Sequence, residues 1–298
     1  MTSTLIQYIE QTAKRLEDAG VSFGHGTTNA FDEAVWLVLW KLGLPLDDLD
    51  GVAQTTLDDS QIQALNQHIQ QRITTRQPAA YLTHEAWLQG VAFYVDERAI
   101  VPRSLISENL AEGDIDPWLE QAVLARNDTI PHILDLCTGN GSLAILAAMA
   151  WPEAIITASD ISADALAVAT INIQKHQLHE RITLIQSDGL NHTDITTHAP
   201  FDLILCNPPY VNTQSMNTLP DEFQAEPALA LAGGADGMDF IRQLLAKAAD
   251  YLSPQGILVL EIGHERNHFE AAFPELEALW LPTSAGDDQV LLLRREVL

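Results

Sequence analysis

Ile133-Leu134-Asp135-Leu136-Cys137-Thr138-Gly139-Asn140-Gly141-Ser142 runs from an apolar strand into a glycine-rich turn and on into an apolar helical stretch. A strand that enters a helix through such a turn is the opening unit of a parallel α/β sheet. The pattern continues downstream. Apolar runs suited to strands recur at 133–136, 154–158, 182–185, 201–206 and 256–262, with a final one at 289–293. Helical patterns at 142–150, 163–176 and 238–252 lie between them. Alternation of this kind predicts a mostly parallel sheet with helices on both faces, with chain breaks at Pro152 and Pro254.

The first part of the chain has a different texture. Leu5, Tyr8, Ile9 and Leu16, then Val35, Leu39 and Leu42, then Ile62, Leu65, Ile69 and Ile73 recur at helical spacing, which predicts a small helical domain over residues 1–78. Trp36 and Trp40, four residues apart, are read as helix packing rather than a binding face. After Gln77-Pro78, aromatic and β-branched runs at 81–87 and 91–95 flank Gln89-Gly90 and predict a linking β-hairpin over 79–103. Residues 104–298 then form the sheet domain. Internal repeats and low-complexity tracts are not evident.

Composition narrows the function classes. With 47% hydrophobic residues the chain reads as globular, and its apolar runs fall short of the roughly 18 residues that span a membrane. Met1-Thr2-Ser3-Thr4 lacks the basic-then-apolar pattern of a secretory leader, so a cytoplasmic protein with no membrane partner is expected. Two cysteines make no disulfide framework. Forty-one acidic against 15 basic residues give a formal net charge of −26, which disfavours a free duplex-DNA binder and suits a basic protein partner or an acidic solubility bias.

Ligands of such sheets bind beyond the carboxyl ends of the strands. Gly139 and Gly141 let the backbone approach a ligand and present N–H groups, and Asp135 is placed to organise the turn or to meet an ammonium group. Asp160, 25 residues on at the end of the second strand, suits two ribose hydroxyls, and Asp188 after the third suits an adenine amine. Asn207-Pro208-Pro209-Tyr210 directly follows the fourth strand. A planar NH2 group has two donors and no basic lone pair, so it needs two acceptors and a flat support. The Asn207 side-chain oxygen and the Pro208 carbonyl supply the acceptors and Tyr210 the support. Turn, strand-end acids and tetrapeptide together point to methyl transfer from S-adenosylmethionine to an amide-like nitrogen.

Two further constellations carry less. His264-Glu265-Arg266-Asn267-His268 matches a zinc-protease pattern, but it follows a strand and has no distinct third ligand, so no metal is expected. Cys137 and Cys206 would meet at one sheet edge if the first and fourth strands are neighbours; they are read as two buried thiols, with an oxidation-sensitive pair as the sharper alternative.

Residues 135–141, Asp160, Ser187-Asp188, Asn207-Pro208-Pro209-Tyr210, Glu226-Pro227-Ala228-Leu229-Ala230-Leu231 and Gly233-Gly234-Ala235-Asp236-Gly237 resemble the protein N5-glutamine methyltransferases over nearly the whole chain. The resemblance implies a Rossmann-like class I S-adenosylmethionine-dependent methyltransferase sheet. It implies cofactor contacts from Asp135, Cys137, Thr138, Gly139, Asn140, Gly141, Asp160, Asp188, Gly189 and Asn207, and a glutamine held by residues 207–210. Release-factor methyltransferases of this family carry Pro-Arg-Pro-Glu-Thr after the hairpin, where this chain has Pro102-Arg103-Ser104-Leu105-Ile106, and many relatives have glycine in place of Cys137. Both departures resemble the branch acting on large-subunit ribosomal protein number three. That protein is therefore the expected methyl acceptor, with release factors, or less readily an adenine N6, as alternatives.

Overall fold

A computed structural model describes residues 3–298; Met1-Thr2, which entered the reading of the chain start, lie outside it. Helices α1 (Leu5–Asp18), α2 (Ala30–Leu42), α3 (Leu49–Val52), α4 (Asp59–Thr75) and α5 (Ala79–Thr83) open the fold. Thr4 and Asp58 close capping boxes at the starts of α1 and α4 by trading hydrogen bonds with Gln7 and Gln61. Leu5, Ile9, Leu16, Leu37, Leu65 and Ile69 bury the apolar stripes of these helices in a core of their own.

The hairpin is shorter than its composition suggests. Strands β1 (Ala86–Leu88) and β2 (Val91–Phe93) pair antiparallel across Gln89-Gly90, both with positive φ as a type I′ turn requires. Residues 81–83, expected in the first strand, belong to α5. Pro78 starts that helix, Ala79 and Ala80 favour it, and the Tyr81 hydroxyl is occupied by the Ala99 carbonyl.

Helices α6 (Ile106–Glu112) and α7 (Asp116–Ala125) lead into the sheet: β3 (His132–Leu136), α8 (Ser142–Ala150), β4 (Ile155–Asp160), α9 (Ala163–Lys175), β5 (Ile182–Gln186), α10 (Thr193–His198) and β6 (Phe201–Cys206). After short helices α11 (Thr213–Met216) and α12 (Asp221–Gln224) come α13 (Asp239–Tyr251), β7 (Leu252–Glu261), α14 (Arg266–Ala272), β8 (Leu279–Thr283) and β9 (Gly286–Arg294). The sheet order is β5-β4-β3-β6-β7-β9-β8, parallel through β7 and antiparallel at its last two strands. Two apolar cores, one on each face, account for the almost continuous burial of β3, β6 and β7.

Two boundaries differ from expectation. β7 starts at Leu252, so Pro254 lies inside a strand; it sits where the register with β6 shifts, and there its missing N–H costs no ladder bond. β8 was not anticipated, because Pro282 interrupts it and it is held as an edge by pairing with β9. The strand order reverses between β3 and β6, which opens a crevice at their carboxyl ends.

Candidate active site

That crevice is lined by Cys137, Gly139, Asp160, Asp188, Gly189 and Asn207 of the expected site, joined by Pro209, Phe240 and, from above, Pro227 and Leu229. Gly139 has φ +57° with open space where a Cβ would stand, so backbone conformation rather than crowding calls for glycine. Its N–H donates to Asp160 Oδ2 at 2.9 Å, and Ser162 N–H donates to Oδ1 at 2.9 Å. Each oxygen keeps a further lone pair for a ligand donor, and burial holds the carboxyl above the usual range.

Asp135 acts beneath the turn. It is wholly buried, with Oδ2 accepting from Thr138 Oγ1 at 2.5 Å and from Ala144 N–H at 3.0 Å, so it ties the turn to the first turn of α8. Its Oδ1 has no hydrogen-bond partner among the described residues, and burial pushes the carboxyl up to about 7. Thr138 and Asn140 are buried too; Asn140 Oδ1 accepts from Ser142 N–H, while its Nδ2 is unpartnered. Gly141 caps the start of α8 and packs against Ala169. These four residues shape the turn from below, and Asp188 stands exposed at the rim.

The tetrapeptide leaves the fully buried β6 at the same crevice. Among the described residues the Asn207 side chain and the Pro208 carbonyl make no hydrogen bond; Asn207 and Pro209 line the crevice, whereas the buried Pro208 and the half-buried Tyr210 are not part of its lining. Tyr210 is fixed from several sides. Its hydroxyl donates to Glu261 Oε1 at 3.2 Å, a Cβ on Gly263 would stand 2.5 Å from its ring, and one on Gly233 would stand 2.7 Å from its Cα.

Glu261, which sequence reasoning passed over, ends β7 and also accepts from Ser104 Oγ at 2.6 Å and Leu105 N–H at 2.9 Å. Burial raises its carboxyl above the normal range, and burial with the neighbouring Glu261 carboxylate raises the Tyr210 phenol. The one signal in the sequence is an acid closing an apolar run, Val259-Leu260-Glu261.

The segment above the crevice is braced by buried charge. Arg103 grips Glu226 with two hydrogen bonds of 2.7 Å, Val101 N–H donates to the same carboxylate at 2.9 Å, and His25 Nε2 lies 3.3 Å from it. Burial works to raise the Glu226 carboxyl, but the Arg103 and His25 contacts bring it down to about 2. Arg72 of α4 reaches Glu33 at 2.8 Å and Glu222 at 3.1 Å, and Arg76 reaches Glu222 at 3.0 Å.

Cys137 and Cys206 are neighbours, as expected from adjacent first and fourth strands. The Cys206 hydrogen bond and burial push the Cys137 thiol well up. In the histidine pattern His264 precedes α14, and Glu265 accepts from Asn212 Nδ2 at 2.6 Å as well as meeting His268. No group of three His, Cys, Asp or Glu side chains suited to a metal occurs among the described residues. Nor is any helix there long and apolar enough to cross a membrane.

A doubly wound sheet with this turn, strand-end acid and Asn-Pro-Pro-Tyr corner defines a Rossmann-like methyltransferase. Residues 120–234 match the family model described as methyltransferase small domain. The hMettl16 catalytic domain superposes with a TM-score of 0.52 at 10% identity, covering 96% of this chain and 90% of that one, a likeness of fold. A ribosomal protein uL3 glutamine methyltransferase from Bordetella pertussis is 52% identical over 295 residues, 99% of this chain and 96% of the relative. One of the same name from Burkholderia pseudomallei is 48% identical, over 97% and 94%. The chain belongs to the ribosomal protein uL3 glutamine methyltransferase family.

Proposed function

We propose that this chain transfers a methyl group from S-adenosylmethionine to the side-chain amide nitrogen of a glutamine in ribosomal protein uL3. The observation that carries the chemistry is Asn207, with its acceptor free, lining one crevice with Asp160 at the end of β4. Family membership supports the acceptor, and a net charge of −26 suits a basic ribosomal protein.

The site residues fit the cofactor. Asp160 retains lone pairs for a pair of hydroxyls, the positive-φ turn at Gly139 leaves its face open, and the buried Asp135 holds that turn from beneath rather than meeting an ammonium group. Cys137, Thr138, Asn140 and Gly141 form the turn, and Asp188 and Gly189 form the rim. When bound, S-adenosylmethionine supplies an electrophilic methyl group. Asn207 Oδ1 and the Pro208 carbonyl accept the two amide hydrogens, Pro209 and Tyr210 flank the plane, and the nitrogen is thereby aimed along the line of displacement. Those acceptors strengthen their hold as positive charge grows on the nitrogen, whose proton is then lost to water; no strong general base is required.

Residues 1–78 are assigned to acceptor recognition, 79–103 to the linking hairpin and 104–298 to methyl transfer, a division supported by the separate core built chiefly by α1, α2 and α4 and by the packing of Ala80 and Tyr81 with the hairpin residues. The cytoplasm is the assigned compartment. Labelled S-adenosylmethionine offered separately with uL3, a release factor and nucleic acid, followed by mass spectrometry, tests the reading. Label on a uL3 glutamine is expected; label on the release factor or an adenine would overturn the acceptor. Asn207→Ala should lower turnover at least ~100-fold while changing cofactor affinity little, and full turnover in that variant would remove Asn207 from the reaction.

A further inference from the structure

Between α2 and the hairpin lies an apolar groove that methyl transfer does not use. Val35 and Trp36 of α2 and Leu46 line it, Trp87 of β1 borders it, and Asp32 and Asp47 stand exposed at its sides. Trp87 is 50% exposed, among the most exposed of the large apolar side chains, and its indole N–H is held by Glu85 Oε1 at 2.9 Å. Trp36 is fixed from behind by Ala80, Tyr81, Ala86 and Val95. Two indoles thus stand preset at the groove, one of them held open to solvent at little gain to folding. Among the described residues, Asp32, Asp47 and Glu85 form no ion pair with a lysine or arginine, so their charge is uncompensated.

One loop touches both the groove and the segment above the crevice. In the loop between α1 and α2, a Cβ on Gly24 would stand 3.3 Å from Phe223 and His25 meets Glu226, the residue before Pro227 of the crevice lining. The next two residues, Gly26 and Thr27, line the groove.

We propose that this groove docks a basic segment of the protein acceptor, with a lysine or arginine side chain lying against the Trp36 and Trp87 indoles and its cation neutralised by Asp32 and Asp47. Aromatic faces attract cations most strongly when partly desolvated, and preset tryptophans are characteristic anchors of protein interfaces. An acidic groove on an acidic protein also speeds encounter with a basic partner. The inference rests on the proposed uL3 reading, and its test separates the two.

Binding of uL3 to the full chain is measured by fluorescence anisotropy, and methyl transfer by label incorporation, for the wild type, Trp87→Ala and the pair Asp32→Asn with Asp47→Asn. Trp87 is half exposed and the two aspartates are exposed, so all variants should fold, which circular dichroism checks. Each variant should weaken uL3 binding about tenfold and raise KM for uL3 to match, with kcat and the KM for S-adenosylmethionine unchanged. The aspartate pair should also flatten the salt dependence of KM. Equal uL3 affinity in the wild type and Trp87→Ala, or a change in oligomeric state in place of a change in affinity, would overturn the groove. Binding that depends on Trp87 without any transfer to glutamine would keep the groove and overturn the reaction, and absence of binding would overturn both.

Discussion

Gly263→Ala isolates what the fixed tyrosine contributes. A Cβ at this position would stand 2.5 Å from Tyr210 Cε2, against about 3.4 Å for ordinary contact, so the ring must retreat by about 0.9 Å or the backbone must yield. The ring cannot move that far and keep its 3.2 Å hydrogen bond to Glu261. The φ of +53° adds about 1–2 kcal/mol of backbone strain for any residue with a Cβ. A displacement near 1 Å at a positioning group is worth on the order of 100-fold in rate. The variant should therefore lose about two orders of magnitude in kcat for uL3, while its KM for S-adenosylmethionine stays within about twofold and its thermal midpoint falls only a few degrees. Gly139→Ala serves as the contrast: its φ is similar but no atom lies within 4 Å, so it should affect cofactor affinity before turnover. Steady-state label incorporation on folded protein measures both. Wild-type kcat in Gly263→Ala would show that the position of Tyr210 is irrelevant to the reaction.

Arg72→Met leaves the Glu33 and Glu222 carboxylates buried without their shared guanidinium and should destabilise by about 3–5 kcal/mol; adding Glu33→Leu and Glu222→Met should recover part of that loss in urea titrations. The Asp135 carboxyl is raised by burial to about 7, so the folded chain keeps a proton there that the unfolded chain gives up near pH 4. Its contribution is thus fully present below about pH 4 and fades as pH rises to about 7, by up to roughly 4 kcal/mol. Wild type compared with Asp135→Asn by denaturant melts from pH 5 to pH 8 should show the steeper fall in the wild type, and parallel profiles would refute the assignment. Tyr210→Phe, which keeps the ring and loses the bond to Glu261, should retain more turnover than Tyr210→Ala at equal uL3 concentration.

The sheet was legible because its strands are short, continuous apolar runs punctuated by glycine and proline, and 201–206 became β6 residue for residue. The positions of Asp160, Asn207 and Pro209 on the crevice were legible because strand ends in this architecture face it. Asp135 was harder to place: it lies one residue before the end of β3, and that puts its carboxylate beneath the turn, against Thr138 and the start of α8. The brace above the crevice left no local trace. Arg72 and Glu222 are 150 positions apart, and each reads by itself as an ordinary solvated charge. Residues 81–83 misled because an aromatic and a β-branched residue suggest a strand, while Pro78 and two alanines had already set a helical turn.

The buried ion cluster also governs how the crevice can breathe. Pro227 and Leu229 roof the crevice, and the chain just before them is moored to α4 through Glu222 and to the hairpin exit through Glu226. Unmooring either carboxylate alone would strand a charge out of water, which makes piecemeal loosening the costly route. The roof and the first helices therefore rise together or stay shut, and the backbone amides at 222–231 should exchange with heavy water at the slow pace of α4 rather than at the fast pace of an ordinary surface loop.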